Sequence, residues 1–260
     1  MADLPRPDPA GFGNCRRCAY LSAGTPAICF ACARQTIEGL HQNRCMTCDL
    51  PLAPPESACG NPVCNWPEGD PTDPATDWTR WFLWNYAVAM RSGELLNLIN
   101  RYKYHDEMIL AVIFGRVLIG FLTQEQEIFR KFDLIIGSPT YVGAGARTWD
   151  HTRRVLKRAH ELSDGTWPFD VEEPATIIKT AATERLTGKS WKQRHAITAG
   201  PLRAALTIPL PARTRGKRVL VYDDVFTDGQ TLNEVARCLR VVGGAAAVCG
   251  VTLSRQPYPR

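Results

Sequence analysis

Short apolar segments alternate with longer amphipathic ones in the part of the chain that follows the first cysteine-rich stretch. An aromatic and aliphatic run from Trp78 to Met90 predicts a strand that leads to Gly93. Apolar residues at helical spacing then predict a first helix around residues 95–104 and a second over 108–122. These segments indicate a strand followed by two helices.

The same alternation continues to the C-terminal end of the sequence. A helix with a basic face follows the apolar run 133–139, and it includes Val155, Leu156, Ala159 and Leu162. Further strands are predicted over 176–179, 219–222 and 246–253, with a helix over 231–242. Strands that alternate with helices predict an α/β domain around a mostly parallel sheet, in which ligands bind beyond the carboxyl ends of the strands.

Length and composition indicate the number of domains and the class of protein. The chain has 260 residues, which predicts one domain of ordinary size with a smaller module. Its 45% apolar and 22% charged residues are typical of a soluble globular protein. A net charge of +5 is compatible with a phosphate-bearing ligand but is too small to indicate nucleic-acid binding by itself.

No targeting or membrane segment is visible. The N-terminus is polar and rich in proline, and it lacks the apolar core of a secretion signal. The longest apolar run, 109–122, contains Arg116 and is too short to cross a bilayer. We therefore expect a cytoplasmic protein without membrane insertion.

Eight of the ten cysteines lie between Cys15 and Cys64, and they are arranged in pairs. Two thiolates on a tight turn can reach one ion at about 2.3 Å, and two such turns complete a tetrahedron. Clustered pairs without a secretion signal favour metal over a disulfide framework or free thiols. The spacing predicts two structural Zn²⁺ sites, formed by Cys15, Cys18, Cys29 and Cys32 and by Cys45, Cys48, Cys59 and Cys64.

A crossed arrangement, in which alternate pairs share an ion, would also satisfy the cysteine spacing. Because large aliphatic residues are scarce there, metal binding would supply the folding energy of this module. We assign residues 1–65 to a double zinc ribbon, the Pro- and Asp-rich residues 66–77 to a linker, and residues 78–260 to the α/β domain.

The segment Val219 to Leu232 carries the clearest ligand signal. Its strand ends in Asp223 and Asp224, and the loop that follows opens a helix. The loop therefore directs N–H groups and the positive end of a helix dipole to the ligand edge of the sheet, as an anion site requires. Gly229 allows a close approach of the backbone to phosphate. An acid pair at a strand end in another α/β fold, such as a receiver domain, is the alternative interpretation.

This segment resembles the signature of type I phosphoribosyltransferases, and with the cysteine-rich start, Lys103-Tyr104 and the basic helix the chain is similar to ComF/GntX-like proteins. The resemblance implies transfer of phosphoribosyl from 5-phosphoribosyl 1-pyrophosphate with Mg²⁺, a glycosyltransferase reaction. By this resemblance Asp223 and Asp224 hold the ribose hydroxyls. The 5′-phosphate is held by Thr227, Asp228, Gly229, Gln230 and Thr231.

The resemblance also implies that Lys103 lies near the pyrophosphate and that residues 187–190 with Arg194, including Lys189, belong to a mobile segment that closes over substrate. The family usually has Thr-Thr-Gly where this chain has Thr227-Asp228-Gly229. A carboxylate beside a phosphate is repulsive, so we expect Asp228 to turn away or to cap the helix. The stretch 147–152 is also altered from the family pattern.

A second hypothesis is a non-catalytic protein that binds single-stranded DNA or a protein of DNA uptake, since the ComF family is linked with natural transformation. A group of basic residues around the helix that follows residue 150 could track a nucleic-acid backbone. A solvated helix face is the alternative for this group. Its members are Arg147, Arg153, Arg154, Lys157 and Arg158.

Overall fold

A computed structural model describes residues 37–52, 58–74, 77–105, 107–144 and 146–257. Within these ranges the chain forms a central sheet and a separate two-stranded sheet. The strands are β1 (Asn85–Met90), β2 (Leu134–Gly137), β3 (Ile178–Lys179), β4 (Leu206–Thr207), β5 (Arg218–Phe226) and β6 (Ala247–Arg255). The helices are α1 (Gly93–Tyr104), α2 (Leu110–Gln124), α3 (Gln126–Phe129), α4 (His151–Leu162), α5 (Trp191–Ile197), α6 (Arg203–Ala205) and α7 (Gln230–Val241).

The central sheet is parallel throughout, with its four strands in the order β1, β6, β5, β2. Side chains of β5 alternate between two hydrophobic clusters. Leu220 and Tyr222 pack on the side of α1, α2 and α4, whereas Val219 and Val221 pack on the side of α7. Because both faces are covered, the inner strands are apolar along most of their length. The predicted α/β class, with a parallel sheet flanked by helices, is confirmed.

Two predicted strands differ from the structure. The strand predicted over 78–90 is confined to β1, since the preceding residues bond elsewhere: Arg80 N–H donates to the Pro67 carbonyl and Trp81 N–H to Asn233 Oδ1. Trp81 and Phe82 are both buried, which breaks the alternation of a strand. The segment predicted over 176–179 contributes only the two residues of β3, which pair antiparallel with β4 outside the central sheet.

The strand that leads to the acid pair is longer than predicted. We expected it to end at Tyr222, but β5 continues to Phe226 because it remains paired with β6 as far as Arg255. The helix after it, α7, confirms the predicted amphipathic segment, with Leu232, Val235 and Leu239 buried.

The segment 37–52 covers the free edge of β1. Three strand N–H groups donate to it: Asn85 to the Thr47 carbonyl, Ala87 to Asp49 Oδ2 and Met90 to the Glu38 carbonyl. An edge strand with unpaired N–H groups is a site of aggregation unless it is covered. The cysteine-bearing segment therefore completes the sheet. In the described part of the chain, no helix has both the length and the apolar character needed to cross a membrane.

Candidate functional site

The loop that joins β5 to α7 borders a cavity of about 700 Å³ at the carboxyl ends of the central strands. The loop residues that line it are Thr227, Asp228 and Gly229, and Thr231 lines it from the first turn of α7. A helix start leaves N–H groups without partners inside the helix, so this edge of the cavity is suited to an anion.

Gly229 fits the loop for two reasons. Its φ angle of 85° lies in the left-handed region that favours glycine. A Cβ atom there would also lie 2.5 Å from the Phe226 ring. The sequence suggested glycine here because it lets a phosphate approach the backbone closely. The tight packing against Phe226 is a second reason why this position requires glycine.

Residues 186–191 and Arg194 also line the cavity. Ser190 caps α5 with a capping box, in which its hydroxyl accepts from the Gln193 N–H and the Gln193 side chain accepts from the Ser190 N–H. Lys189 forms an ion pair with Glu184. The segment expected to close over substrate thus lines the same cavity as the loop between β5 and α7, and its Arg194 contacts Asp228 of that loop.

Asp223 and Asp224 have different surroundings although they are adjacent. Asp223 lines the cavity, while Asp224 is 2% exposed and does not line it. Burial and the neighbouring Asp224 carboxylate raise the pKa of Asp223 to about 6. Burial alone would also raise the pKa of Asp224, but Lys103 and His151 outweigh burial and hold that pKa well below its ordinary value. At neutral pH both carboxylates carry charge.

Lys103 forms an ion pair with one of the two acids. Its Nζ lies 2.8 Å from Asp224 Oδ1, and its side chain is 18% exposed. Burial favours loss of the ammonium charge, but the carboxylates of Asp224 and Asp223 outweigh it and raise the pKa of Lys103. Lys103 is absent from the residues that line the cavity, so its contact with the site runs through Asp224.

His151 is a site residue that the sequence did not reveal. It is buried at the first position of α4, its Nε2 lies 3.4 Å from Asp224 Oδ2, and its Nδ1 lies 3.2 Å from the Thr140 hydroxyl. One ligand atom each of His151, Asp223 and Asp224 lies within 4.8 Å of the others. A lone histidine carries no sequence signal, and only the packing of α4 against β5 brings it to the acids.

The Asp228 carboxylate, which the sequence identified as a departure from the family pattern, is buried and paired. Its Oδ2 lies 3.2 Å from Arg194 Nη1, and its Oδ1 accepts from the Gln230 N–H at the start of α7. Asp228 thus bonds the first N–H of α7, while the N-cap residue itself is Gly229. Arg194 balances the charge of Asp228.

Gln230 does not line the cavity. It is 1% exposed, and its side chain contacts the Trp191 carbonyl, the Thr198 hydroxyl and Asp228. Gln230 therefore joins α7 to α5, and its predicted contact with phosphate could involve only its backbone.

Aromatic rings pack α5 against the predicted linker and the residue that follows it. The Trp78 ring stacks on His195 with 3.9 Å between ring centroids and on Trp191 with 5.3 Å. The Trp66 ring contacts all three edge-on. The helix that carries Arg194 is thus fixed by residues from the predicted linker, 66–77, and its border.

Four cysteines form a compact cluster next to the cavity. The sulfur atoms of Cys45, Cys48, Cys59 and Cys64 all lie within 4.8 Å of one another. Cys48 Sγ and Cys59 Sγ are 3.7 Å apart, which matches the edge of about 3.8 Å that four sulfurs make at 2.3 Å from a tetrahedral ion. The four cysteines could bind a metal such as zinc. This is the sequential grouping for the second predicted site.

Backbone groups and a guanidinium surround the sulfurs. The Thr47 N–H donates to Cys45 Sγ and the Asn61 N–H to Cys59 Sγ. Hydrogen bonds from the other three thiols, with Arg255 nearby, hold the pKa of Cys48 well below its ordinary value, whereas hydrogen bonds with the other thiols and burial raise that of Cys64. The pKa of Cys45 is also lowered and that of Cys59 is raised, so the cluster needs a cation to hold all four sulfurs as thiolates. The first predicted site (Cys15, Cys18, Cys29, Cys32) lies outside the described residues.

Comparisons with known proteins add little. No family model matches the chain, and no curated protein matches it. Among solved structures, it is similar to a chain described as the allosteric regulatory enzyme of purine biosynthesis, with 18% identity and a TM-score of 0.33. The alignment covers 55% of this chain and 26% of that chain. The chain thus spans about a quarter of that enzyme's length, and the likeness carries no argument about function.

Proposed function

We propose that the cavity binds 5-phosphoribosyl 1-pyrophosphate with Mg²⁺ and that the protein is a phosphoribosyltransferase. The observation that carries this proposal is that one cavity is lined by a helix start suited to an anion, by the Asp223 carboxylate, and by a segment that contains Lys189 and Arg194. A helix start suits a phosphate, a carboxylate suits sugar hydroxyls, and cationic side chains suit further phosphates.

The 5′-phosphate is assigned to the loop. The N–H groups of the first turn of α7 and the hydroxyls of Thr227 and Thr231 supply its hydrogen bonds. Arg194 shields the one carboxylate of the loop, Asp228, at 3.2 Å. The charge repulsion that Asp228 would otherwise impose on a phosphate is therefore reduced.

The ribose hydroxyls are assigned to Asp223, which lines the cavity. Asp224 affects the site through its neighbours. It contacts Lys103 at 2.8 Å and His151 at 3.4 Å, and its charge raises the pKa of Asp223. The family resemblance gives both acids the same role, whereas these contacts support a direct role for Asp223 and a positioning role for Asp224.

The donor atoms at the cavity fit Mg²⁺, which prefers oxygen ligands and is usually bound by one or two carboxylates together with substrate phosphates. Asp223, Ser138 and Thr252 line the cavity and offer such oxygens. When bound, Mg²⁺ supplies neutralisation of the charge that develops on pyrophosphate.

In the proposed reaction the bond between C1′ and the pyrophosphate oxygen breaks, and pyrophosphate leaves with the electron pair. A lone pair of the acceptor, a nitrogen nucleophile, forms the new bond to C1′, and the acceptor proton passes to water. The transition state has oxocarbenium character, so positioning and charge stabilisation supply most of the rate. Residues 186–191 wall the cavity and limit the access of water to C1′.

Zinc is the ion we propose for the four-cysteine cluster, with a structural role. Four sulfur ligands leave no open position for a reacting group. By the same chemistry we propose a second structural Zn²⁺ at Cys15, Cys18, Cys29 and Cys32.

The described structure does not favour the nucleic-acid hypothesis. On α4, Lys157 pairs with Glu173 at 3.2 Å and Arg158 with Glu161 at 2.6 Å. Arg153 also contacts Glu173, at 3.1 Å. Acidic partners reduce the positive potential that a phosphate backbone would need.

Calorimetric titration with 5-phosphoribosyl 1-pyrophosphate and Mg²⁺ tests the proposal. We expect saturable binding to the parent chain and at least about tenfold weaker binding to Asp223→Asn, which loses a charged acceptor. Asp133→Asn is the matched control, because Asp133 pairs with Arg218 beside the amino end of β2 and does not line the cavity.

No heat at millimolar ligand, or equal affinity in the parent and Asp223→Asn, would contradict the proposal. With binding established, release of pyrophosphate in the presence of candidate nitrogen acceptors measures turnover. Asp223→Asn should reduce this release and Asp133→Asn should leave it unchanged.

A further inference from the structure

Two fully buried side chains bind three consecutive carbonyls of the phosphate loop. Arg255 Nη1 donates to the carbonyls of Phe226 and Thr227, at 3.1 and 2.6 Å. Asn61 Nδ2 donates to the carbonyl of Asp228, at 3.1 Å. Both Arg255 and Asn61 are 0% exposed. The loop carbonyls are thus held by residues that lie far from the loop in sequence.

The same two residues contact the cysteine cluster. Arg255 Nε donates to the Cys48 carbonyl at 2.6 Å, and Arg255 Nη2 lies 3.5 Å from Cys48 Sγ. Asn61 lies in sequence between Cys59 and Cys64, and its N–H donates to Cys59 Sγ at 3.5 Å. Each residue therefore bridges a cysteine turn and the loop.

The direction of these bonds matters for anion binding. Neither Arg255 nor Asn61 is among the residues that line the cavity, so both hold the carbonyls of residues 226–228 from outside its lining. A carbonyl oxygen that faced the cavity would repel a phosphate, whereas an N–H group attracts it. Fixing the carbonyls from outside the lining keeps the loop in the conformation that an anion requires.

Arg255 is suited to this role because a buried guanidinium is stable only where acceptors satisfy it. Its other contacts are the Gln256 carbonyl, at 2.5 Å, and the Phe226 ring, whose centroid lies 4.9 Å from its Cζ. These acceptors are held in place only while the Cys48 turn and the loop are both folded.

We propose that Arg255 and Asn61 are positioning residues that couple the cysteine cluster to the phosphate loop, so that metal at Cys45, Cys48, Cys59 and Cys64 sets the affinity of the loop for a phosphate-bearing ligand. The inference rests on the proposed function for its ligand. The cysteine turns are fixed when four sulfurs share one ion, and the two side chains transmit that order to the loop.

The test uses the full chain with its metal content measured by elemental analysis. Three variants are compared with the parent: Asn61→Ala, Arg255→Lys, and the control Arg213→Lys. Arg213 also donates to two carbonyls, those of Pro174 and Glu173, at 2.6 and 3.5 Å, but it does not line the cavity. Amide hydrogen exchange is followed in residues 226–231 and in α4.

In Asn61→Ala and Arg255→Lys we expect faster exchange in residues 226–231 but not in α4, and binding of 5-phosphoribosyl 1-pyrophosphate with Mg²⁺ weakened by about tenfold or more. The control should match the parent. Removal of metal from the parent with a chelator should give the same pattern. An effect spread evenly over loop and α4 would indicate loss of global stability and would overturn the proposal.

Unchanged loop exchange in Asn61→Ala with its metal retained would also overturn the coupling, even if Arg255→Lys failed to fold. So would a metal-depleted chain that kept parental loop exchange. Failure of the parent to bind the ligand would contradict the proposed function alone, since the exchange experiment reads the coupling without ligand.

Discussion

The cysteine cluster and the cavity lie side by side at the carboxyl ends of β5 and β6, but they are ordered by different means. The four sulfurs come from residues 45–64, and a single ion can bring them together. The cavity depends on contacts such as Arg194 with Asp228 and Lys103 with Asp224, which join residues from distant segments. A local site can therefore form as a unit, whereas the cavity requires the finished fold.

The largest effect should come from the cysteine cluster. Cys48→Ser removes one of the four proposed metal ligands. Structural metal sites contribute folding free energy on the order of 10 kcal/mol in small domains, so we expect a loss of about 5 kcal/mol and of the ion. Urea unfolding and elemental analysis measure both. Cys238→Ser is the matched control: Cys238 is buried in α7 outside the cluster, and this variant should keep its metal.

A Cys48→Ser chain that retained its metal and its stability would mean that the four sulfurs do not bind one ion. A Cys238→Ser chain that lost metal would mean that metal content follows general stability rather than ligand chemistry. Either result would remove the contrast between a locally ordered site and the cavity.

The two acids of the cavity region should differ next. Asp224→Asn leaves buried Lys103 without its partner and should lower the free energy of unfolding by about 3 kcal/mol. Asp223→Asn removes a carboxylate that burial and Asp224 disfavour, so we expect unchanged or higher stability and weaker ligand binding. Chemical unfolding of both variants checks this, and equal losses would contradict the different surroundings of the two acids.

The raised pKa of Asp223 also predicts that the stability of the fold depends on pH. Its pKa is raised to about 6, so between pH of about 4 and about 6 the folded chain retains a proton that the unfolded chain has released. Stability therefore falls as the pH rises through this window, by up to about 1.4 kcal/mol per unit. Asp224, with its lowered pKa, contributes stability that is lost only at lower pH.

The measurement is the difference in unfolding free energy between the parent and Asp223→Asn from pH 4 to 8. The parent should lose stability relative to the variant as the pH rises to about 6, and above that pH the difference between their unfolding free energies should stay constant. A constant difference across the range would show that the Asp223 pKa is not raised.

The smallest effect should come from Asp228. Asp228→Asn can still accept from the Gln230 N–H but loses the ion pair with Arg194, which is worth about 1 kcal/mol. Because the Arg194 charge then faces the cavity uncompensated, affinity for the phosphate ligand should rise by a few-fold. The control is titration of Asp133→Asn, which removes one negative charge from an exposed ion pair remote from the cavity and therefore measures the effect of net charge alone. A weaker ligand affinity in Asp228→Asn would mean that Asp228 contacts the ligand favourably.

The sequence analysis predicted the elements that depend on local patterns. Helices α1, α2, α4 and α7 follow from apolar residues at helical spacing, and β5 and β6 from apolar runs. It was wrong about residues 78–84, because their N–H groups bond to side chains and carbonyls of other segments rather than to a neighbouring strand.

Residues that act through long-range contacts left no sequence signal. His151 reaches Asp224 only because α4 packs on the sheet, and Arg255 reaches Cys48 across 207 positions of sequence. A lone histidine or arginine has the same appearance in a sequence whether it is exposed or buried in a site. The contact of Asn61 with the Asp228 carbonyl likewise spans 167 positions and follows from no local pattern.

The sequence by itself determined the α/β class, the paired cysteines and the acid pair that precedes the Gly229 helix start, because each rests on spacing within one segment. Only the tertiary structure decided that Asp223 faces the cavity while Asp224 holds Lys103, and that Arg194 balances Asp228. Burial and the nearest charge set the state of an ionisable group, and both depend on which distant segments the fold brings together.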